Sequence, residues 1–335
     1  MTRDPLLKVR GLEVAFPGQD GPVTVVRGLD LDIEPGERVG LVGESGSGKS
    51  VSMHAILGLA AGARVSGSVR FDGQELVGAP SSTLRAVRGR RAGLIFQDSL
   101  SALNPVLRVG AQITEPLRLS GTGKREARDR ALELLERVGI RDATRRVDDY
   151  PHQFSGGMRQ RVMIAIALAQ SPELLIADEP TTALDVRVQR QVLDLLLELS
   201  EERGMSLLLI SHDLGVVAGG TERVVVMYAG QAVESATAEP LFQRPLHPYT
   251  WGLLGAVPQL TGPRPERLPA IPGRPPDPAV PPSGCPFHPR CPHAQDRCAT
   301  EVPMLLEHEP DHRAACLRVG EISPPALIAE ERVDA

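Results

Sequence analysis

At 335 residues, with 41% apolar and 24% charged residues and a formal charge of −5, the chain can bury a substantial core, is expected to form about two domains, and is a poor non-specific polyanion binder. No apolar run approaches the roughly 18 residues needed to span a bilayer. The N-terminal MTRDPLLKVR lacks the apolar stretch of a secretory signal, so the chain is expected to stay in the cytoplasm, where its four cysteines read as metal ligands rather than a disulfide framework.

Residues 1 to about 235 alternate strand-like and helix-like segments. An apolar strand at 37–42 (ERVGLV) runs into Gly43, Glu44, Ser45, Gly46, Ser47, Gly48, Lys49 and Ser50, and VSMHAILGL continues as a helix. This is the P-loop pattern G-x-x-x-x-G-K-[ST] in its required context, after a strand and before a helix. The glycines let backbone N–H groups converge on phosphate oxygens, and the helix N-terminus adds a favourable dipole. Lys49 supplies a mobile positive charge for the β and γ phosphates, and Ser50 offers its hydroxyl to Mg²⁺.

Further along, EARDRALELLERVG places Ala127, Ala131, Leu134, Leu135 and Val138 on one helix face, with Gly139 just past the last turn. The runs LLIAD (174–178) and MSLLLIS (205–211) are continuously apolar, as strands covered on both faces of a parallel sheet are. Asp178 and Glu179 end the first of them. Asp178 is the candidate second contact to Mg²⁺, and Glu179 the candidate carboxylate to polarise a water for in-line attack on the γ-phosphate. Between the two runs lies a helix with Val188, Val192, Leu195, Leu196 and Leu199 on one face and Gly204 as its cap. The expected fold class is α/β.

FSGGMRQR (154–161), taken with the P-loop, Gln97 in LIFQDSLSALNP, DEPTTALD (178–185) and His212 in LLLISHD, resembles the ATP-binding subunits of ABC transporters in motif order and spacing. The resemblance implies an ABC-type P-loop ATPase core over residues 1–240, with a helical subdomain at about 98–165 and an antiparallel β subdomain. It also implies a head-to-tail pair of cassettes, with ATP held between the P-loop of one and Ser155, Gly156 and Gly157 of the other, and Asp185 in contact across the pair. In it Gln97 senses Mg²⁺ and the attacking water, so that Ser50, Gln97 and Asp178 surround the ion. His212 touches the γ-phosphate, completing a catalytic group of Glu179, His212 and Gln97. Phe16 is placed against adenine, with a core position in a strand as the alternative. The residues themselves agree on one point: Ser-Gly-Gly ahead of MRQRVMIAIALAQ makes an anion-accepting helix N-terminus.

The segment FQRPLHPYTWGLL (242–254), with YPHQFSGGMRQRVMIAIAL (150–168), resembles the ATPase subunits of oligopeptide and dipeptide importers, a subgroup that also includes nickel and some sugar-oligomer importers. By its residues HPYT reads as a turn and helix start, with Pro248 early and Thr250 near the cap. Ten prolines between 258 and 282 exclude regular helix or a central strand there, and suit an extended arm. Residues 241–335 are therefore expected to form a proline-rich, cysteine-containing C-terminal extension.

Cys285, Cys291, Cys298 and Cys316 are separated by five, six and seventeen residues. That lacks the tight Cys pairs of structural zinc sites and matches no ferredoxin run, and the wider spacing suits a [4Fe–4S] cube. Histidines 288, 293, 308 and 312 keep a mixed Cys/His zinc site open, and free thiols are the third alternative. The resemblance favours the cluster, because some peptide-importer ATPase subunits carry one in this region, and the expected role is structural.

The function so implied is an ATP-binding and ATP-hydrolysing subunit that powers import of di- or oligopeptides, peripheral on the cytoplasmic face of the cell membrane. Its partners are a second ABC ATPase subunit, a paralogue rather than an identical chain, two integral membrane permeases and, indirectly, an external peptide-binding protein. The competing expectation is a soluble ABC ATPase of DNA repair or iron–sulfur cluster assembly. The absence of heptads between the P-loop and FSGG, and a tail that is not markedly basic, speak against it and against nucleic acid as a partner.

Overall fold

Strands Leu174–Asp178 and Ser206–Ser211 are buried at every position, as uninterrupted apolar runs require. They belong to a computed structural model that describes residues 4–97, 102–181, 184–256 and 270–325. The chain divides into two units that interleave along the sequence: residues 1–33, 38–77 and 211–335 in one, 34–37 and 78–210 in the other.

The first unit holds the expected antiparallel sheet, in the order Gly21–Ile33, Leu7–Gly18, Arg64–Phe71, Gln74–Glu75. Leu7 and Val9, then Leu12 and Val14, point into the core with no exposed surface. The alternation skips one residue between the two pairs, and the strand takes up the extra residue as a register shift around Gly11, whose φ is 55°. A side chain on Gly67 would meet the Gly11 carbonyl oxygen at 2.4 Å, so the facing strand needs a glycine there.

The same unit pairs Arg38–Val42 in parallel with Arg223–Tyr228, which is antiparallel to Gln231–Thr237. His312–Ala314 adds to that last strand through Glu234↔Ala314 and Ser235↔Arg313, and Leu306–Glu309 lies outside it. The extension is thereby sewn to the strand that precedes it. Residues 270–282 form neither helix nor strand, in keeping with their prolines; Pro258, Pro263, Pro265 and Pro269 lie outside the described residues.

In the second unit Ala92–Ile95, Leu174–Asp178 and Ser206–Ser211 run parallel. Helix Lys124–Arg137 buries Ala127, Ala131, Leu134 and Leu135, and Gly139 (φ 77°) follows it. Helix Val186–Arg203 buries Val192, Leu196 and Leu199 and ends at Gly204, φ 59°. Val188 and Leu195 sit at the edge of that face and are only half-buried. Among the described residues no helix is long and apolar enough to cross a membrane.

Candidate functional site

Strand Arg38–Val42 delivers the chain into the P-loop, and helix Lys49–Ile56 leaves it. Gly43 is confined by its neighbours, since a Cβ there would fall 2.2 Å from the Met227 carbonyl oxygen and 2.8 Å from Ser47 Oγ. Gly48 caps the helix at φ 99°, a conformation that costs other residues dearly. No acidic residue lies in the first helical turn, so the positive end of the helix dipole is unopposed where Ser50 sits half-buried. Lys49 is buried, and its ammonium donates to the carbonyls of Gly43 (2.7 Å) and Glu44 (3.1 Å) and to Ser47 Oγ (3.5 Å). Ser45 and Gly46 are exposed at the loop tip. His212, in the same unit, is exposed in the turn between Ser206–Ser211 and helix Leu214–Ala218. Phe16, paired with Val23 near the end of its strand, is half-buried and outside the core.

The second unit carries the acidic pair. Asp178 is the last, buried residue of its strand. Glu179 follows with φ 46°, a left-handed conformation that is rare for a side chain of this size, and its N–H donates to the Ile210 carbonyl at 3.0 Å. The turn presents the carboxylate half-exposed, and Gln97 Nε2 donates to Glu179 Oε2 at 2.8 Å. Gln97 and Glu179 are thus brought together across 82 residues of chain.

Ser155 caps helix Gly156–Ala167, its Oγ accepting from Met158 N–H at 3.4 Å. Gly157 has no room for a side chain, because a Cβ would stand 2.7 Å from Val188 Cγ1. Asp185 caps helix Val186–Arg203 by accepting from Val188 N–H at 3.0 Å.

All four cysteines line one small cavity of about 20 Å³, closed in part by Phe287, Leu317 and Ile322. Three of the sulfurs are approached by the backbone N–H two residues on: Phe287 toward Cys285, His293 toward Cys291, and Arg318 toward Cys316 at 3.4 Å. Such donors favour the thiolate form. His288 and His293 also line the cavity, whereas His312 Nε2 is bonded to the Glu234 carboxylate and His308 Nε2 donates to the Ala314 carbonyl. Among the described residues no group of three or more His, Cys, Asp or Glu side chains is arranged to hold a metal ion. Burial pushes the Cys285 thiol up to about 11, and raises Cys291 and Cys316 in the same direction. In metal-free protein, alkylation of Cys285 is therefore expected to run about a hundred-fold slower at pH 8 than that of an exposed thiol, and to rise only as pH nears that raised value. Mass spectrometry of iodoacetamide-labelled peptides against pH measures this.

Several residues that touch these features escaped the sequence reading. Glu234, fully buried, accepts from the backbone N–H of Leu246 (2.6 Å) and His247 (3.0 Å) and bonds His312 Nε2 at 2.8 Å. Burial lowers His247 to about 4, and its Nδ1 accepts from Tyr249 N–H at 3.0 Å. His247 is thus the side-chain cap of helix Pro248–Gly255, with Pro248 first and Thr250 buried within the first turn, near the cap as expected. Tyr249 and Arg290 both reach Glu44 of the P-loop. The only sequence signals were the HPYT segment and an arginine between two cysteines.

Residues 26–182 match the family model described as ABC transporter, and residues 233–298 the one described as oligopeptide/dipeptide transporter, C-terminal region. The chain is 52% identical over 334 residues to a putative peptide import ATP-binding protein of Brucella abortus, covering 98% of this chain and 97% of that one. It is 48% identical over 318 residues to the oligopeptide transport ATP-binding protein OppD of Salmonella typhimurium, covering 94% of each. With OppD of Mycobacterium tuberculosis it shares 51% identity over 317 residues, 94% of this chain but 52% of the relative, so it spans about half the length of that protein. Among solved structures, the dimeric bacterial ABC transporter cassette MJ0796 superposes with a TM-score of 0.63 at 30% identity, over 69% of this chain and 98% of that one. The chain belongs to the ATP-binding subunits of ABC transporters, in the branch that carries the oligopeptide/dipeptide transporter C-terminal region.

Proposed function

We propose that this chain binds and hydrolyses ATP to drive import of di- or oligopeptides across the cytoplasmic membrane. The observation that carries the hydrolytic part is the Glu179 carboxylate, turned out of a buried strand by a left-handed residue and met by the Gln97 amide at 2.8 Å. In the proposed reaction the P-loop N–H groups and Lys49 bind the phosphates, while Ser50, Asp178 and Gln97 surround Mg²⁺. Glu179 takes a proton from the attacking water, and His212 bonds the γ-phosphate. Phe16 stacks on adenine. Ser155, Gly156, Gly157 and Asp185 serve the nucleotide of a second cassette, a paralogue of this one. The match at 233–298 supports the peptide branch, as do the names of the relatives. Two integral membrane permeases hold the pair at the cytoplasmic face, and an external binding protein delivers the peptide. Purified transporter in lipid is expected to release phosphate several-fold faster when a peptide-loaded binding protein is added, and no stimulation by any loaded protein would refute the transport assignment.

The cysteine cavity is proposed to hold a [4Fe–4S] cluster through Cys285, Cys291, Cys298 and Cys316. Its support is the donor set: four sulfurs on one cavity, three of them facing backbone N–H groups, with His308 and His312 engaged elsewhere. Bound there, the cluster supplies a four-point staple for a segment with little core of its own. Because burial raises the Cys285, Cys291 and Cys316 thiols, binding there must displace their protons.

A further inference from the structure

The second residue of the P-loop is held from two directions by the C-terminal extension. Glu44 accepts a two-pronged contact from Arg290, Nη1 to Oε2 at 2.6 Å and Nη2 to Oε1 at 3.0 Å. Its backbone N–H donates to the Tyr249 hydroxyl at 2.8 Å. The Arg290 side chain is 4% exposed and that of Glu44 27%, so the pair is largely removed from water and only weakly screened by it.

Arg290 is itself clamped. Its Nε donates to the Pro272 carbonyl at 2.8 Å, Nη2 to the Ile271 carbonyl at 3.3 Å, and Nη1 reaches the Tyr228 hydroxyl at 3.4 Å. Tyr228, Tyr249 and Phe287 form a ring cluster with centroids 4.5 to 5.4 Å apart, and Phe287 lies between Cys285 and Arg290 in the chain. The guanidinium is therefore fixed by the Ile271 and Pro272 carbonyls and Tyr228, with its backbone anchored in the cysteine-bearing segment.

Two consequences for the loop follow. A carboxylate in a loop that binds a polyphosphate repels it unless neutralised, and Arg290 neutralises this one. The Glu44 carbonyl also accepts from Lys49 at 3.1 Å, so the placement of Glu44 bears on the lysine that meets the phosphates. We infer that Arg290 and Tyr249 are positioning residues for the nucleotide site: by holding Glu44 they let the cysteine-bearing extension set the affinity for MgATP. The inference rests on the P-loop being the ATP site, as proposed above.

Equilibrium binding of MgATP to the full-length chain, and steady-state ATPase of the assembled transporter, test it. Arg290→Met is expected to raise Kd and KM about ten-fold while kcat at saturation changes less than about two-fold. Adding Glu44→Gln to Arg290→Met should bring Kd back to within about three-fold of wild type, because the uncompensated charge is gone. Thermal melting and a thiol count report whether the extension stays folded. If Arg290→Met does not fold, Arg290→Lys and Tyr249→Phe carry the test: each keeps most packing and should raise Kd by about three-fold. Unchanged Kd in folded Arg290→Met or in both milder variants overturns the inference, as does a double variant as weak as the single. A wild-type chain that fails to bind MgATP refutes the ATP-site assignment and this inference together, whereas normal wild-type binding with an indifferent Arg290→Met refutes the inference alone.

Discussion

Glu179→Gln is expected to lower ATP turnover of the assembled transporter by about 10²- to 10⁴-fold while leaving nucleotide binding nearly intact. The amide has the size of the carboxylate and can keep both the left-handed turn and the contact with Gln97, whose Nε2 lies 2.8 Å from Glu179 Oε2. What it loses is the ability to take a proton from water. Gln97→Ala should cost about ten-fold, since in the proposed reaction Gln97 contacts Mg²⁺ and holds the Glu179 carboxylate but takes no proton. Phosphate release under saturating MgATP, with retained nucleotide measured by filter binding, separates the two. Turnover of Glu179→Gln within about two-fold of wild type would remove Glu179 from the role of base.

Cys298→Ser is expected to empty the extension of iron and to expose residues 284–318 to protease, accelerating cleavage there about ten-fold or more. Cys298 is the most buried of the four, 8% exposed, and its carbonyl accepts from Cys285 N–H at 2.8 Å. The segment has two short strands, two 3₁₀ turns and, as buried apolar side chains, Phe287, Cys298, Ala314 and Ala315. So small a core has most to gain from the proposed cluster as a staple. Iron and acid-labile sulfide per chain after anaerobic purification, together with limited proteolysis, measure both effects. Stoichiometric zinc without iron in the wild type would replace the cluster by a zinc site and leave the ATPase assignment untouched. Full iron in Cys298→Ser would remove this cysteine from the ligand set.

Contacts made at long range in the chain were the ones the sequence could not disclose. Gln97 and Glu179 could be named separately by their motif positions, but their hydrogen bond joins residues 82 apart. The Arg290–Glu44 pair spans 246 residues, and nothing in either segment alone hints at the other. HPYT reads as a helix start with Pro248 early and Thr250 near the cap, as found, yet the local pattern gives no sign that His247 is itself the cap, buried and accepting from Tyr249 N–H. Val188 and Leu195 satisfied the helical period but lie at the margin of the buried face, since periodicity marks a direction and packing decides how wide the covered stripe is.

By itself the sequence determined the P-loop, the buried parallel strands, the helix faces with their glycine stops, and membership in the ABC family. Each of these is written in contiguous residues, where backbone freedom, period and hydrogen-bonding groups act within a few positions of one another. Only the tertiary structure decided that four cysteines scattered over 32 residues meet on one cavity, and that the extension returns to add a strand beside Gln231–Thr237. It alone set an arginine between two of those cysteines against the phosphate loop. Those arrangements depend on how distant segments close on one another to bury apolar surface and pair charge, which no local pattern encodes.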